Sequence, residues 1–596
     1  QSITVSNSAK NYLFNGSGKI SGLTGLTKNG NGTLTIGNSG NNDFSGDIAL
    51  NAGTLIISNT STIGNLLTGS GALTKNGNGT LTVSGDGSGF TGPVTVNGGT
   101  LSVLNTLSLA TASGITVASG AALDIGNNNV GLGHELITVS GSGVGGSGAI
   151  VNSSGYGVGN GSVAVTTSFQ NLAMAGDTTI GGPGRLDFRA TTPTSDSDAT
   201  LSTSGHGYKL TKVSVSTLQM SGVQIDSALG DIEVQGGILA FQGIMPSFGN
   251  PANNLTIFGG ATVQFNAIST DINKSLALQD GAIFNNTGGN NIYDGPVTLQ
   301  GNCIFNIGNG TATTFTNVIG GTGGSLTKIT GNGSMTLNAA STYTGDTVIS
   351  AGTLFLNEPA SLASSRSITI GSGATLDVSG RLDQTLTLPN GQKLSGVGTL
   401  SGNLTNSPGS TVAPGATATA IGTLTVNGSA TLNGTNVIKL VETNLTSDVL
   451  SVAGAVQFGG VLNLVTLAGS MHSGDAFTIF NAGGGFNGSF SSIIPATPGF
   501  GLTWDTNALA TTGVLTVIGP GANTDPTNIV TAFDGSNLTL NWPMDHTGWR
   551  LQVQTNSLSN GLGGNWTDVA GSTATNQIII PVSNANGSVF YRMVYP

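Results

Sequence analysis

The residues best suited to chemistry lie around Gly205-His206-Gly207, where a histidine between two glycines follows the acidic residues Asp196 and Asp198. Hydrolysis of a glycosidic bond uses a pair of carboxyl groups, one as acid and the other as base or nucleophile. An acidic sugar would also need basic residues to hold its carboxylate. The next arginine after His206 is Arg366, which is far away in the chain.

The Gly-His-Gly sequence resembles that of polygalacturonase-type glycosidases, and the resemblance implies paired aspartates and a downstream basic pair. Asp196 and Asp198 lie only on the N-terminal side of His206, and the basic pair is missing. Lyases would need a lysine or arginine base, often with acidic Ca²⁺ ligands, and no such cluster is present. The sequence therefore favours a surface loop histidine, and we predict no catalytic residue.

A lysine recurs at one position of a repeated motif, as Lys28, Lys75 and Lys328. Two interpretations are open. The lysines could form a ladder for an anionic ligand, or each stem could lie along a corner with its ammonium group in water. Because the three copies are far apart in sequence, the pattern favours the second interpretation.

Metal and cofactor sites are not indicated. Asp196-Ser197-Asp198 could hold Ca²⁺, but two acidic residues in a loop are a weak signal. The four histidines have no metal-ligand spacing; they are His134, His206, His472 and His546. We predict no metal and no cofactor.

Composition excludes several classes of partner. The 596 residues carry 27 acidic and 16 basic side chains, a net charge of −11, which argues against nucleic acid or anionic membranes. No apolar stretch approaches 18 residues, so no transmembrane segment is predicted. The single cysteine, Cys303, can form no internal disulfide. We expect it to be a small buried apolar residue, with a reactive or intermolecular thiol as the alternative.

The positions of all these residues depend on a repeated pattern of short alternating strands. The stretch 73–103 recurs at 26–57 and 326–356, and an aromatic residue and a glycine stay nine positions apart in all three copies. Fixed internal periods of this length indicate a stacked solenoid. Side chains of the alternating positions form the predicted repeat core: Leu81, Val83, Phe90, Leu101 and Val103.

These copies resemble the autotransporter-associated β-strand repeat of bacterial surface proteins. The resemblance rests on four motifs in order: Leu73-Thr74-Lys75, Gly79-Thr80-Leu81, Phe90-Thr91-Gly92 and Gly99-Thr100-Leu101. It implies an all-β chain, a right-handed parallel β-helix displayed outside the cell. It implies no catalytic residues, because the repeat has none.

Three segments are predicted. Residues 1–518 form the parallel β-helix, with a loop-rich insertion at 126–230 and weaker terminal rungs at 381–518. Residues 519–526 form a linker, and 527–596 form a small antiparallel β-sandwich of immunoglobulin or fibronectin type. This last segment holds Trp542, Trp549 and Trp566, which could form a sugar-binding platform, although we expect at least one to be core.

The main functional hypothesis is a secreted bacterial structural protein that polymerises head to tail into an extracellular filament, with itself as partner. Gln1 is interpreted as the end left by signal-peptide removal. Filament contacts are expected between the first and last strands, at Gln1, Ile3, Val5, Phe590, Tyr591, Val594 and Tyr595. The alternative is an adhesin or carbohydrate-binding surface protein, which would bind an extracellular glycan or surface through the 126–230 loops or the tryptophans. A polysaccharide-degrading enzyme ranks last.

Overall fold

The computed structural model describes residues 2–40, 42–126, 130–132, 134–154, 168–191, 196–415, 417–519, 523–583 and 587–595. The chain forms two compact units, 1–384 and 385–596. Both consist almost wholly of strands. Among the described residues, no helix has the length and apolar character needed to span a membrane.

The first unit is a parallel β-solenoid. Each strand pairs in parallel with the equivalent strand one turn later, so like residues stack, as in the series Leu81, Leu101 and Leu123. Successive side chains of a strand point to opposite faces, and the strand Thr80–Val83 alternates half-buried threonines with the fully buried Leu81 and Val83. A single turn cannot bury its apolar face alone, so the stacking of turns forms the core.

The strands of the first unit fall into five stacks, A to E. Stack A contains Ser2–Ser6, Gly25–Asn29, Ile48–Leu50, Leu67–Gly69 and Gly89–Phe90. Stack B contains Tyr12–Phe14, Thr33–Ile36, Thr54–Ile57, Ala72–Lys75, Val94–Val96, Ile115–Val117, Leu136–Gly141, Asn171–Gly181, Ala199–Ser202 and Val223–Ile225. A separate short pair joins Ser21–Gly22 to Asp43–Phe44.

Stack C shares the long strand Asn171–Gly181 with stack B. Its other strands are Ser61–Ile63, Thr80–Val83, Thr100–Val103, Ala122–Asp124, Ile150–Val151, Leu210–Lys212, Ile232–Val234, Asn254–Ile257, Ser275–Gln279, Val297–Gln300 and Ile319–Gly320. Stack D contains Ser168–Phe169, Leu186–Arg189, Thr217–Ser221, Ile238–Gln242, Thr262–Asn266, Ile283–Gly288, Asn302–Ile307, Ser325–Ile329, Thr347–Ile349 and Ser367–Ile370. Stack E contains Asn290–Tyr293, Ala312–Phe315, Ser334–Leu337, Thr353–Asn357 and Thr375–Gly380. One 3₁₀ turn lies at Val144–Gly146.

Aromatic rings form a continuous column in the middle of this core. Phe241, Phe265, Phe284 and Phe305 lie on successive turns, with ring centroids 5.6, 5.3 and 5.6 Å apart along the series. All four are fully buried. Stacking of identical residues at the turn spacing adds aromatic contact to the apolar burial.

The region 126–230 was expected to be a loop-rich insertion. Its described residues include strands that pair with the solenoid, such as Leu136–Gly141 with Asn171–Gly181. The whole glycine-rich stretch at 155–161 and residues 192–195 of the polar run at 191–204 lie outside the described residues. The described part therefore contributes turns to the solenoid.

The second unit begins with further parallel turns in three stacks. The first contains Thr385–Leu388, Asn403–Asn406, Ala430–Leu432, Val456–Phe458 and Phe486–Gly488. The second contains Lys393–Gly396, Thr411–Pro414, Thr435–Val441, Val461–Ala468 and Ser492–Ile494, and the antiparallel strand Thr446–Ser447 joins it. The third contains Thr399–Ser401, Thr423–Val426, Val449–Val452 and Phe480–Ala482. The predicted all-β fold with a parallel β-helix is confirmed.

Antiparallel sheets follow in the same unit. Ala476–Thr478, Val514–Ile518 and Thr503–Asp505 form one, beside the short helix Leu509–Thr512. Two three-stranded sheets then share a core of Leu540, Trp542 and Leu551. The first contains Val530–Phe533, Asn537–Asn541 and Gln577–Pro581, and the second contains Thr567–Asp568, Arg550–Asn556 and Ser588–Val594. The 3₁₀ turns of this unit are Glu442–Asn444, Met544–His546 and Ser572–Ala574. The immunoglobulin or fibronectin type of this segment stays a prediction.

Candidate functional site

The repeated lysine lies inside the solenoid. In the strand Gly25–Asn29, Leu26 and Lys28 share the inward face, and the Lys28 side chain is fully buried. Its Nζ atom donates hydrogen bonds to the backbone carbonyls of Asn29 at 2.9 Å, Gly30 at 2.6 Å and Ala52 at 3.2 Å. The ammonium group thus closes the corner of its own turn and ties it to the corner of the next.

Three further buried lysines also donate hydrogen bonds to backbone carbonyls at the corners. Lys75 donates to Asn76, Gly77 and Gly98, and Lys212 donates to Val213, Ser214 and Gly236. Lys328 donates to Ala351 at 2.7 Å. The sequence analysis missed Lys212, although Leu210-Thr211-Lys212 repeats the Leu-Thr-Lys motif and would have revealed it.

Burial governs the protonation of these lysines. It lowers the pKa of Lys28 and Lys75 from the ordinary value, and it lowers the pKa of Lys212 and Lys328 to about 8. Removing a charge from water is unfavourable unless fixed dipoles replace the water, and the carbonyl oxygens supply those dipoles. The prediction that the ammonium groups lie in water is wrong, and no lysine ladder is presented to an anionic ligand. Alternation explains the error, because in Leu-Thr-Lys the lysine shares the face of the leucine.

The His206 loop is held by hydrogen bonds to the side chain of Asp226. The Oδ2 atom of Asp226 accepts bonds from the Thr203 amide and hydroxyl at 2.9 Å each and from the Gly205 amide at 3.2 Å. Asp226 Oδ1 accepts from the Ala228 amide at 3.0 Å. Burial alone would raise the pKa of Asp226, but these hydrogen bonds lower it to about 2.

The Asp226 carboxylate fixes the chain that presents His206 to solvent. The His206 ring stacks on Tyr208, with centroids 5.1 Å apart and planes at 10°. His206 Nδ1 lies 3.1 Å from the Thr203 carbonyl oxygen, which can only accept, so Nδ1 carries a proton. His206 is exposed and Tyr208 is half-buried. The loop therefore presents a flat aromatic pair on a rigid support.

The candidate glycosidase residues are not brought into a catalytic pair with His206. Asp198 accepts bonds from the Thr191 amide at 2.9 Å and hydroxyl at 2.7 Å, which lower its pKa. Asp196 is exposed. The carboxylate closest to the loop is that of Asp226, and its oxygens are occupied by four hydrogen bonds. This arrangement suits a structural clamp rather than proton transfer to a substrate.

The three C-terminal tryptophans have different surroundings. Trp542 is buried in the core between the two sheets, and Trp549 is buried with its Nε1 donating to the Asn523 carbonyl at 2.9 Å. Trp566 is half-buried, and the guanidinium of Arg592 lies 4.3 Å from its ring centroid. The three therefore do not form one platform, and only Trp566 offers ring surface beside a polar sheet face.

Cys303 is buried in the strand Asn302–Ile307, and its Sγ lies 3.3 Å from the Leu278 carbonyl oxygen. Burial raises the pKa of its thiol to about 11. The thiolate is the reactive form of cysteine, so this thiol is inert at neutral pH.

The predicted repeat core lies inside the solenoid. Its five residues are all fully buried: Leu81, Val83, Phe90, Leu101 and Val103.

The residues predicted for assembly lie near the first and last strands. Val5 is buried and Ile3 is half-buried in Ser2–Ser6, which pairs with Gly25–Asn29. In the second unit, Phe590, Tyr591 and Val594 lie half-buried in Ser588–Val594, and the exposed Tyr595 ring lies 5.6 Å from that of Trp549. Gln1 lies outside the described residues.

Comparison with known proteins supports the predicted resemblance. Residues 26–57, 73–103 and 326–354 match the family described as passenger-associated-transport-repeat. These three stretches contain the buried lysines Lys28, Lys75 and Lys328. The predicted resemblance is confirmed: the chain is a β-solenoid protein that is similar to autotransporter passengers.

Two similar proteins have the word adhesin in their names. The chain is 25% identical over 446 residues to the adhesin BmaC autotransporter of Brucella suis biovar 1 (strain 1330), which covers 64% of this chain and 12% of that protein. The chain thus spans about an eighth of that relative's length. Among solved structures, the Haemophilus influenzae Hap adhesin is similar over 86% of this chain and 64% of its own, with 13% identity and a TM-score of 0.28.

Proposed function

We propose that this chain is the surface-exposed passenger region of a bacterial adhesin, located outside the cell and binding a glycan or another surface molecule. The observation that carries the proposal is the passenger repeat, found three times in a chain that is also similar to an autotransporter adhesin. The repeat forms a solenoid in which buried lysines connect the corners of successive turns by hydrogen bonds. Such a scaffold can hold binding loops in fixed positions far from their anchoring point.

The binding surface in this proposal is the stacked aromatic pair of the exposed His206 and the half-buried Tyr208. Asp226 holds the backbone of this loop, so little conformational entropy is lost when a ligand orders the two rings. Stacked rings offer an apolar face, and the imidazole and phenol groups offer hydrogen bonds at the edge. A sugar, which has apolar C–H faces and a polar rim, fits that combination.

Catalysis is no part of the proposed function. The relative whose name bears on the question is called an adhesin, and His206 has no free carboxylate pair beside it among the described residues. Head-to-tail assembly into a filament stays a prediction, because neither the repeat nor the relative supports it.

The proposal is tested by applying the labelled, purified chain to an array of glycans and extracellular-matrix proteins. We expect saturable binding to at least one ligand, and strong loss of binding in His206→Ala and Tyr208→Ala. Tyr12→Ala is the matched control, since Tyr12 is an exposed tyrosine elsewhere in the same unit. A chain that binds nothing above background, or that releases reducing sugar from a bound polysaccharide, contradicts the proposal.

A further inference from the structure

A cluster of three metal-ligating side chains lies in the second unit, outside the surfaces described above. Glu442 begins the 3₁₀ turn that follows the strand Thr435–Val441. His472 and Asp475 lie in the turn between Val461–Ala468 and Ala476–Thr478. The strands Thr435–Val441 and Val461–Ala468 pair in parallel, with Val441 opposite Ala468. Their ends therefore coincide, and residues 30 positions apart in the chain meet.

The donor atoms of this cluster are spaced as metal ligands require. His472 Nδ1 lies 3.0 Å from Glu442 Oε1 and 4.0 Å from Asp475 Oδ2, and one ligand atom from each residue falls within 4.8 Å of the others. Tetrahedral Zn²⁺ with bonds of about 2.0–2.2 Å holds its ligand atoms roughly 3.4 Å apart. The two measured His472 distances bracket that value, so small side-chain rotations would bring the atoms onto one ion.

A backbone contact holds the Asp475 side chain in place. Asp475 Oδ2 accepts a bond from the His472 amide at 2.7 Å, and the Asp475 carbonyl accepts one from the Val517 amide at 2.8 Å. Gly469 has φ +83°, and a Cβ atom there would lie 2.1 Å from Glu442 Oε2. A glycine at this position thus leaves space for the Glu442 carboxylate beside the turn.

A bound cation would complement the two carboxylates of the cluster. The Glu442 and Asp475 side chains are 17% and 13% exposed, whereas that of His472 is 69% exposed. Among the described residues, neither carboxylate forms an ion pair with a lysine or arginine, and His472 is the partner of both. An imidazole binds metal in its neutral form, and two neighbouring carboxylates would then have no cationic side chain beside them. A divalent ion supplies the missing charge.

We propose that Glu442, His472 and Asp475 bind a divalent transition-metal ion of the Zn²⁺ class. One imidazole nitrogen and two carboxylate oxygens suit such an ion better than Ca²⁺, which takes six to eight oxygen ligands. Three protein ligands leave a coordination position for water or an external donor. His472 also lines a cavity of about 570 Å³ together with Met471, Phe500 and Leu502, which gives that donor room.

The test is calorimetric titration of the metal-free full chain with ZnCl₂. We expect one saturable site in the unaltered chain. Loss of one ligand in His472→Ala should weaken binding by about 10–100-fold or more, and Glu442→Gln and Asp475→Asn should also weaken it. His134→Ala is the matched control, because His134 is an exposed histidine in the other unit, and it should bind Zn²⁺ unchanged.

Thermal unfolding provides a second measurement that separates binding from folding. Each variant should melt near the unaltered chain when metal is absent, and Zn²⁺ should raise the melting temperature only where all three ligands are present. The proposal is overturned if His472→Ala keeps the full affinity for Zn²⁺, if no saturable site is found, or if Ca²⁺ binds as tightly as Zn²⁺ and independently of His472.

Discussion

A Cβ atom placed on Gly352 would lie 2.6 Å from the Nζ atom of Lys328. Gly53 stands in the same relation to Lys28, at 2.8 Å. The lysine of one turn therefore occupies the space that a side chain on the following glycine would need. This relationship explains why the repeat combines a Leu-Thr-Lys strand with a Gly-Thr-Leu strand about one turn later, and it yields the first two predictions.

The first prediction concerns that glycine. Gly352→Ala should destabilise the chain by about 2–4 kcal/mol, because φ is +65° and the new methyl group would also lie 2.4 Å from the Gly333 carbonyl oxygen. The control is Gly373→Ala, where φ is +72° but nothing lies within 4 Å. That change should cost only the backbone strain of about 1–2 kcal/mol. Calorimetric melting of both variants tests whether Gly352→Ala loses more stability than Gly373→Ala. Equal losses of stability would show that packing against Lys328 is unimportant.

The second prediction concerns the lysine itself. Lys28→Met keeps the length of the side chain but removes the donor to the carbonyls of Asn29, Gly30 and Ala52. Removing this donor from the half-buried carbonyls should cost about 1–3 kcal/mol, and among the described residues only that of Asn29 keeps a further bond, from the Asn7 amide at 3.2 Å. Lys10→Met, at an exposed lysine, should leave the melting temperature nearly unchanged. If the methionine at position 28 were neutral or stabilising, the ammonium group would not be what holds the corner.

The third prediction is a pH dependence that comes from Asp226. Its folded pKa of about 2 lies below the ordinary value of 3.8, so its contribution to stability is present above pH 4 and is lost as the pH falls towards 2. Asp226→Asn removes this carboxylate. The melting temperature of the variant should therefore lie below that of the unaltered chain at pH 6, and the gap should narrow towards pH 2. If the difference in melting temperature did not depend on pH, the loss of stability would come from packing and not from the charge of the carboxylate.

The fourth prediction tests the faces of the repeat strands. Leu101 is fully buried between Leu81 and Leu123, so Leu101→Asp places an unpaired carboxylate in the apolar stack and should cost several kcal/mol, on the order of 3–5. Asn78→Ser, at an exposed corner, should cost little. Similar melting temperatures for these two variants would mean that the strand faces are wrongly assigned.

Alternation along short strands was enough to predict the solenoid and its fold class. Leu81 and Val83 alternate with threonines, and the side chains of a strand reach opposite faces in turn. The same rule places Lys75 beside Leu73 on the inward face, but the general preference of lysine for water led to the opposite prediction. The prediction followed the usual exposure of lysine and neglected the alternation of side chains along the strand.

The contacts that depend on register could not be predicted from one sequence. Glu442 and His472 meet because two strands of different turns end together, and no spacing in the chain signals this. Asp226 reaches the loop of Thr203 for the same reason. Trp542 is buried and Trp566 is half-buried, and composition alone does not decide which tryptophan is covered.

The most direct test of the adhesin proposal is the adhesion of beads coated with the purified chain to bacterial and animal-cell surfaces under flow. The proposal predicts that coated beads are retained several times more often than albumin-coated beads on at least one surface. Soluble chain should compete for that retention, and soluble chain carrying Tyr208→Ala should not. Retention equal to that of albumin-coated beads on every surface would contradict the proposal that this solenoid acts by binding.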